Sequence, residues 1–374
     1  MSEVNTNEVI TGYKAFDPDF KCRDYQYEVG KTFEHNGKIQ MCSKGFHFCY
    51  NDPIDVFNYY PLVGENGELL TRFAKVSAAR EGSVVDCADL KCVTSKISID
   101  KEVTLDELVK EQVDKAYKSK GETELIIATE DGAPLTDKGP LTKIISNRKE
   151  THIALAWSNS TALASADCAY LASSSSGTRL FTMGENASVS SSGYGSKIYS
   201  NGHHSSTSAS GAKAQFRITG NSVNVSSSGY GSRLNVKSNF SEIASSGRHS
   251  VLNVAGSSPS ISTSGRCSEL TVKGGCSEIA SSGDFSKLRI TGKKARMAVV
   301  GNYSQVIYEG EDGVISVLGE DAKFKGSKGT LVLAVTYNRH GKPRGGLVGR
   351  IGENGLKPDT LYTVKNGEFV EVGA

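Results

Sequence analysis

A chain of 374 residues with a net charge of +2 and a mean hydropathy of −0.32 has no global charge to draw nucleic acid or an anionic membrane, and no apolar run that could form a spanning helix. The length allows two or three domains. Eight cysteines scattered without a framework spacing predict thiols rather than a disulfide scaffold.

Residues 1–100 are aromatic, cysteine-bearing and poor in serine, and read as a small α+β domain. Gly12–Phe16 and Tyr25–Val29 are expected strands. After the turn Glu34–Lys38 come Ile39–Cys42 and Lys44–Cys49. Asp52-Pro53 opens a short helix over Ile54–Tyr60, and strands follow at Leu69–Val76 and Val93–Ile99. Residues 101–150 read as an amphipathic helix and a connector. Thr104-Leu105-Asp106-Glu107 is a capping box, and Leu105, Leu108, Val109, Val113 and Ala116 share one face to a helix end near Lys118. The polar connector holds one expected strand at Leu125–Ala128, and the first, irregular coils of a repeat are expected from Ile153 to Met183.

From Gly184 to Gly319 a glycine returns every ninth residue, broken only at Ser238. Counting it as position 1, position 4 is small (Ala187, Ser196, Ser205, Ala214) and position 6 apolar (Val189, Ile198, Phe216, Val225). From Ala209 to Ile290 position 8 alternates between small and apolar, so the full period is eighteen residues. One strand and one turn fill each nonapeptide. The fold class is therefore mainly β: a two-sheet β-solenoid over residues 151–326, with the N-terminal α+β domain before it and a small β cap over 327–374. Glycine is expected to supply the backbone freedom of the corners. Roughly eight coils are expected over the glycine series, each pairing with the next at ~4.8 Å. In the cap, Thr330–Thr336 is a strand, Arg339–Gly346 a basic turn, and Leu361–Val364 and Phe369–Val372 a hairpin around Asn366-Gly367.

The two outer faces of the solenoid differ. One carries Ser190, Ser192, Ser208, Ser210, Ser226, Ser228, Ser246, Ser262, Ser264 and Ser282, a flat carpet, uncharged apart from Glu242 and Glu278, that serves as the candidate binding surface. The other carries Lys197, Tyr199, Gln215, Arg217, Arg233, Lys237, Glu269, Lys273, Lys287 and Arg289, a basic-leaning surface that could contact phosphate. The corners lack the repeated aspartate that a calcium-binding β-roll requires. Cys42, His47 and Cys49 have metal-ligand chemistry, with Cys22, His35 or Cys87 as a fourth donor, but their spacing is that of a strand with buried thiols beside an exposed histidine. No nucleophile–base order, nucleotide loop or carboxylate pair stands out, so no catalytic residue, metal or cofactor is assigned. Ser43–Phe48 faintly resembles the central strand of ADP-ribosyltransferase folds; Lys14 stands where such folds often carry Arg or His, and no acid takes the catalytic role.

Two stretches together carry a wider resemblance. GYKAFDPDFKCRDYQYEVGKTFEHNGKIQMCSKGFHFCYNDPIDVFNYYP, and the ending KPDTLYTVKNGEFVEV after short Gly-Ser repeats, resemble an uncharacterised family of bacteriophage and prophage proteins. The resemblance implies a phage-encoded product and supplies no functional residues. With no secretory leader at the N-terminus, it leads to an expected site in the host bacterial cytoplasm. The expected partners are a second copy of the chain or a bacterial host protein, with neither membrane nor nucleic acid. The rival expectations are a virion part, such as a tail fibre or baseplate component, and an N-terminal transferase-like enzyme.

Overall fold

The computed structural model describes residues 9–23, 25–50, 52–69, 71–86, 91–118, 125–338 and 340–372. The chain forms two compact units: Met1–Gly64 with Leu69–Ile127, and Glu65–Glu68 with Ala128–Ala374.

The first unit is an antiparallel sheet built on β1 (Val9–Phe16). The other strands are β2 (Lys21–Cys22), β3 (Tyr25–Gln26), β4 (Thr32–Glu34), β5 (Phe46–Tyr50), β6 (Arg72–Ala79), β7 (Ser83–Asp86), β8 (Lys91–Thr94) and β9 (Lys96–Val103). Seven of them make one sheet in the order β4-β9-β6-β1-β5-β8-β7, while β2 and β3 pair apart. Strand β1 lies against β6 from Val9↔Ala79 to Phe16↔Arg72. Its other neighbour is so close that a Cβ on Gly12 would sit 2.3 Å from the carbonyl oxygen of Cys49. Phe16, Phe48, Ala74, Val76, Ile97 and Ile99 form the core.

Several elements differ from the sequence expectation. Tyr25–Val29 yields only the two residues of β3. Val93–Ile99 splits into β8 and β9 because Thr94 Oγ1 accepts the amide of Lys96 at 3.1 Å and turns the chain. The expected helix over Ile54–Tyr60 is a 3-10 turn, Pro53–Asn58. Helix α1 (Leu105–Lys118) forms as its capping box predicts: the Glu107 amide donates to Thr104 Oγ1 at 3.2 Å, and the Thr104 amide donates back to Glu107 Oε2 at 2.7 Å. Its apolar face is buried, and Gln112 on that face donates to Asp52 Oδ1 at 3.1 Å.

The second unit is a β-solenoid of about 12 turns at ~18 residues per coil. Short strands alternate between two parallel sheets, each pairing with the strand one coil later. Ile198, Phe216, Leu234, Leu252, Leu270 and Leu288 stack in exact register in one sheet, and Val189, Thr207, Val225, Ile243, Ile261 and Ile279 in the other. All of these side chains are buried. The inner alternation follows from the two-residue strand period.

The regular coils begin earlier than the glycine series. Strands Lys143–Ser146, His152–Leu155, Thr161–Ala164 and Tyr170–Ser173 already hold the parallel register, so this stretch is regular rather than irregular. Here position 1 is Arg148, Trp157, Ala166 or Ser175, which hides the repeat from a search keyed on glycine.

The glycines also work differently from the expectation. Most have no positive φ; the left-handed residue of each corner is two places further on. It is filled by Asn186, His204, Lys213, His249, Phe285 and Tyr303, with φ between 54° and 57° in five of them and 58° at Lys213. What glycine provides is close stacking. A Cβ on Gly211 would lie 2.0 Å from the carbonyl oxygen of Gly193, and one on Gly229 2.0 Å from that of Gly211. The small fourth position then closes the corner, for its hydroxyl donates to the position-1 carbonyl: Ser250 to Gly247 at 2.9 Å, Ser277 to Gly274 at 2.7 Å, Ser286 to Gly283 at 2.8 Å. Such a local bond satisfies a buried carbonyl that the corner removes from the strand ladder.

The parallel stack ends by reversing direction. Leu331–Tyr337 pairs antiparallel with Pro343–Arg350, and Lys323–Gly326 with Tyr362–Lys365, which continues through Asn366-Gly367 into Glu368–Glu371. The positive φ values of Asn366 and Gly367 are those of the expected turn. Residues 343–346 lie in a strand rather than in the basic turn, and Arg339 falls outside the described residues.

Candidate functional site

The serine carpet is a groove rather than a flat plane. Two rows, exposed except for the half-buried Ser208, run up the sheet, Ser190–Ser208–Ser226–Ala244–Ser262–Ala280 and Ser192–Ser210–Ser228–Ser246–Ser264–Ser282, and between them lies a furrow of about 780 Å³. All ten serines expected as the binding surface line this furrow. Its lining extends at both ends to Ala154 and Val300 and includes no charged side chain. The furrow follows the bend where each strand ends after position 8. Ser191, Ser227, Ser245 and Ser281 form the floor and turn their side chains inward. A sequence pattern gives the rows but not this bend.

The opposite sheet is an open basic surface only in part: Lys237, Lys273, Lys287 and Arg289 are exposed, but other residues of the sheet are buried. Tyr199 is 1 % exposed, Arg179 6 % and Asn235 8 %. The Glu65–Glu68 segment lies on it: Asn235 Nδ2 donates to the Gly67 carbonyl and Asn253 Nδ2 to that of Asn66, both at 2.8 Å. Further along, Lys287 pairs with Glu269 and Arg289 with Glu309. Burial, then the charge of Arg179, pushes the Lys197 ammonium down to about 8. In the unfolded chain a lysine titrates near 10.4, so folding costs stability wherever Lys197 must be charged, and the cost fades as pH rises from about 8 toward 10.4. Lys197→Met is expected to raise the melting temperature at pH 7 and to flatten the rise in stability across that window. Thermal melts of both proteins at pH 7, 9 and 10 check this; parallel curves would refute it.

In the first unit a cleft of about 770 Å³ opens beside β1 and β5. Lys14, 5 % exposed, lies in it and donates to the carbonyl oxygen of His47 at 2.8 Å and to Cys22 Sγ at 3.5 Å. Its ammonium also lies over the rings of Tyr27 at 5.4 Å and Phe16 at 5.7 Å. Burial lowers its pKa below the usual lysine range. Cys22 Sγ is 3.0 Å from the Tyr60 hydroxyl. Burial, chiefly, lowers the pKa of His47 and raises those of Tyr27 and Tyr60. His47 is partly buried rather than exposed, and Cys42 is exposed rather than buried.

The cleft therefore unites Lys14 and His47, yet among the described residues lining it none is Asp or Glu. Among the described residues no disulfide forms, and no group of three His, Cys, Asp or Glu side chains is placed to hold a metal ion. Cys87 lies outside them. The signal for the cleft was faint: one lysine inside the otherwise apolar and aromatic run Tyr13–Phe16.

The architecture is that of a β-solenoid preceded by a separate α+β unit. Residues 10–111, most of that first unit, match a family described as a domain of unknown function, DUF7666. No curated protein and no solved structure matches the chain.

Proposed function

We propose that the chain is a non-enzymatic binding protein of bacteriophage or prophage origin, and that its solenoid associates with a second copy of itself through the serine furrow. The observation that carries this reading is the uncharged furrow, continuous from Ala154 to Val300. At ~4.8 Å per coil it runs for about 40 Å. Its rows hold only serine and alanine from Ser190 to Ser282, so a copy turned by a two-fold axis presents matching ridges and a matching furrow. Ridge can then enter furrow along the whole length, as an isologous interface requires. Short side chains let the two backbones approach closely, and within the furrow no charge has to be desolvated, Glu242 and Glu278 standing on the same face outside its lining. The phage origin rests on the resemblance of the N-terminal stretch and the C-terminal ending. A product made in an infected bacterium would use such an assembly to present its surfaces to a host protein, which makes antagonism of a host defence or enzyme its role.

Sedimentation velocity on the full chain tests the association. The expected result is a dimer at micromolar concentration that Ser208→Arg with Ser228→Arg converts to monomer, since each arginine would be buried unpaired. A wild-type chain that stays monomeric to about 100 μM, far above the micromolar range of a modest interface, overturns the reading.

A further inference from the structure

The geometry points to a second binding site, independent of the furrow: the cleft of the first unit takes a free nucleoside phosphate. Three observations converge on it. The first is an uncompensated buried cation. Lys14 is 5 % exposed, and its partners are a carbonyl, a thiol and two ring faces, with no ion pair among the described residues. A buried ammonium is costly unless a counter-charge meets it, and an anion entering the cleft would supply one. The second is the sign of the rim. Arg23, Lys44 and Lys91 stand around the same opening with His35, and no described lining residue is acidic. Neither Arg23 nor Lys44 has an ion pair among the described residues, so both guard the opening with their charges uncommitted.

The third is partly exposed aromatic surface at the mouth. Tyr25 and Tyr59 also line the cleft and remain 42 % and 43 % exposed, Tyr59 with the Lys91 ammonium over its ring at 4.2 Å. Tyr25 packs edge-on against Phe46 at 5.3 Å, which fixes its ring. Flat rings next to several cations match a ligand with a planar base at one end and a phosphate at the other. The volume, about 770 Å³, suits a mononucleotide. His47 Nε2 is buried and without a hydrogen-bond partner, an atom a ligand could satisfy.

Isothermal titration of the full chain with AMP, adenosine and an oligoriboadenylate tests this. AMP is expected to bind about tenfold or more tightly than adenosine, the difference being charge-assisted phosphate contacts. Lys14→Met should remove most of that difference. Because Lys14 is buried and its loss could disturb folding, Arg23→Gln on the exposed rim is the second variant, and it should weaken AMP several-fold while leaving adenosine unchanged. Circular dichroism confirms that each variant is folded. Equal affinity for AMP and adenosine, no binding of either, or folded variants that keep full AMP affinity overturns the proposal. Tighter binding of the oligoriboadenylate than of AMP also overturns it, in favour of a nucleic-acid strand.

Discussion

Gly229→Ala is expected to destabilise the solenoid more than the corner substitution Gly195→Asn, by about 2 kcal/mol or more, as a carbon forced into a packed stack does. The added carbon would stand 2.0 Å from the Gly211 carbonyl oxygen and 2.5 Å from its carbon. Both are backbone atoms of the coil below, so neither can swing away as a side chain would. The coil has to shift locally to admit it, as the coils with Ala166, Ser175 or Ser238 at this position do while keeping their register, and the hydrogen bonds to the coil below weaken. Gly195→Asn is the control. Gly195 has a φ of 68°, the conformation glycine is usually needed for, but a Cβ there meets nothing within 4 Å. The equivalent corner residue is Asn186 in one repeat and Lys213 in another, and asparagine tolerates this conformation well. Its expected cost is below about 1 kcal/mol. Urea unfolding of the two variants separates close stacking from conformational freedom as the reason for the glycine column. Equal losses would show that the stacking account is wrong.

Ending the chain at Tyr337 is expected to convert the protein from a discrete species into growing assemblies. The truncation removes Pro343–Arg350, which pairs with Leu331–Tyr337, and Tyr362–Lys365, which pairs with Lys323–Gly326. Both sheets of the solenoid would then end on open strand edges with their amides and carbonyls unpaired, a template for another chain. The intact cap blunts these edges. Its outer strands carry Pro343, Arg344 and Arg350 on one side and Glu368 and Glu371 on the other, residues that resist further pairing. The cap also contributes packing, with Phe324 stacked on Tyr362 at 5.9 Å and edge-on to Phe369 at 5.5 Å. Light scattering and thioflavin fluorescence over hours at micromolar concentration would read the outcome. A truncated chain that stays as small and clear as the full one would show that the cap is dispensable.

The solenoid was legible in the sequence because its inward columns answer to one constraint each. Position 6 must fill the core, and position 4 must be small enough for a corner and is most often able to bond it. The reason for the glycines was not legible. Freedom of φ and closeness of approach both select glycine, and only the stacked geometry distinguishes them. The left-handed corner residues left no trace either, since histidine, lysine, phenylalanine and tyrosine occupy them where exposed surface imposes no chemistry. The first coils were hidden for a related reason: where Trp157 or Ser175 replaces glycine, the backbone keeps its period while the marker disappears. Of the candidate surfaces, the serine rows could be listed residue by residue, but the furrow between them comes from a bend that has no residue type of its own. The basic face was read without burial: Lys237, Lys273, Lys287 and Arg289 are exposed as expected, but Tyr199 is buried and Lys197, Arg217 and Arg233 are only partly exposed. In the first unit Lys14 was noticed only for a resemblance, whereas its burial among Cys22, His47 and two rings is what sets it apart.

The stacking of identical coils also makes the solenoid divisible in one unit and not in half of it. Excising eighteen residues would join each strand to the equivalent strand of the next coil, leaving both sheets, both rows of serines and every corner in place on a shorter rod. Excising nine would carry all downstream strands across to the opposite sheet, so that the serine rows would stop midway and resume on the other side. Length is therefore a quantity this architecture can change in steps without redesign, and the reach of the furrow is fixed by a count of coils rather than by the identity of any one of them.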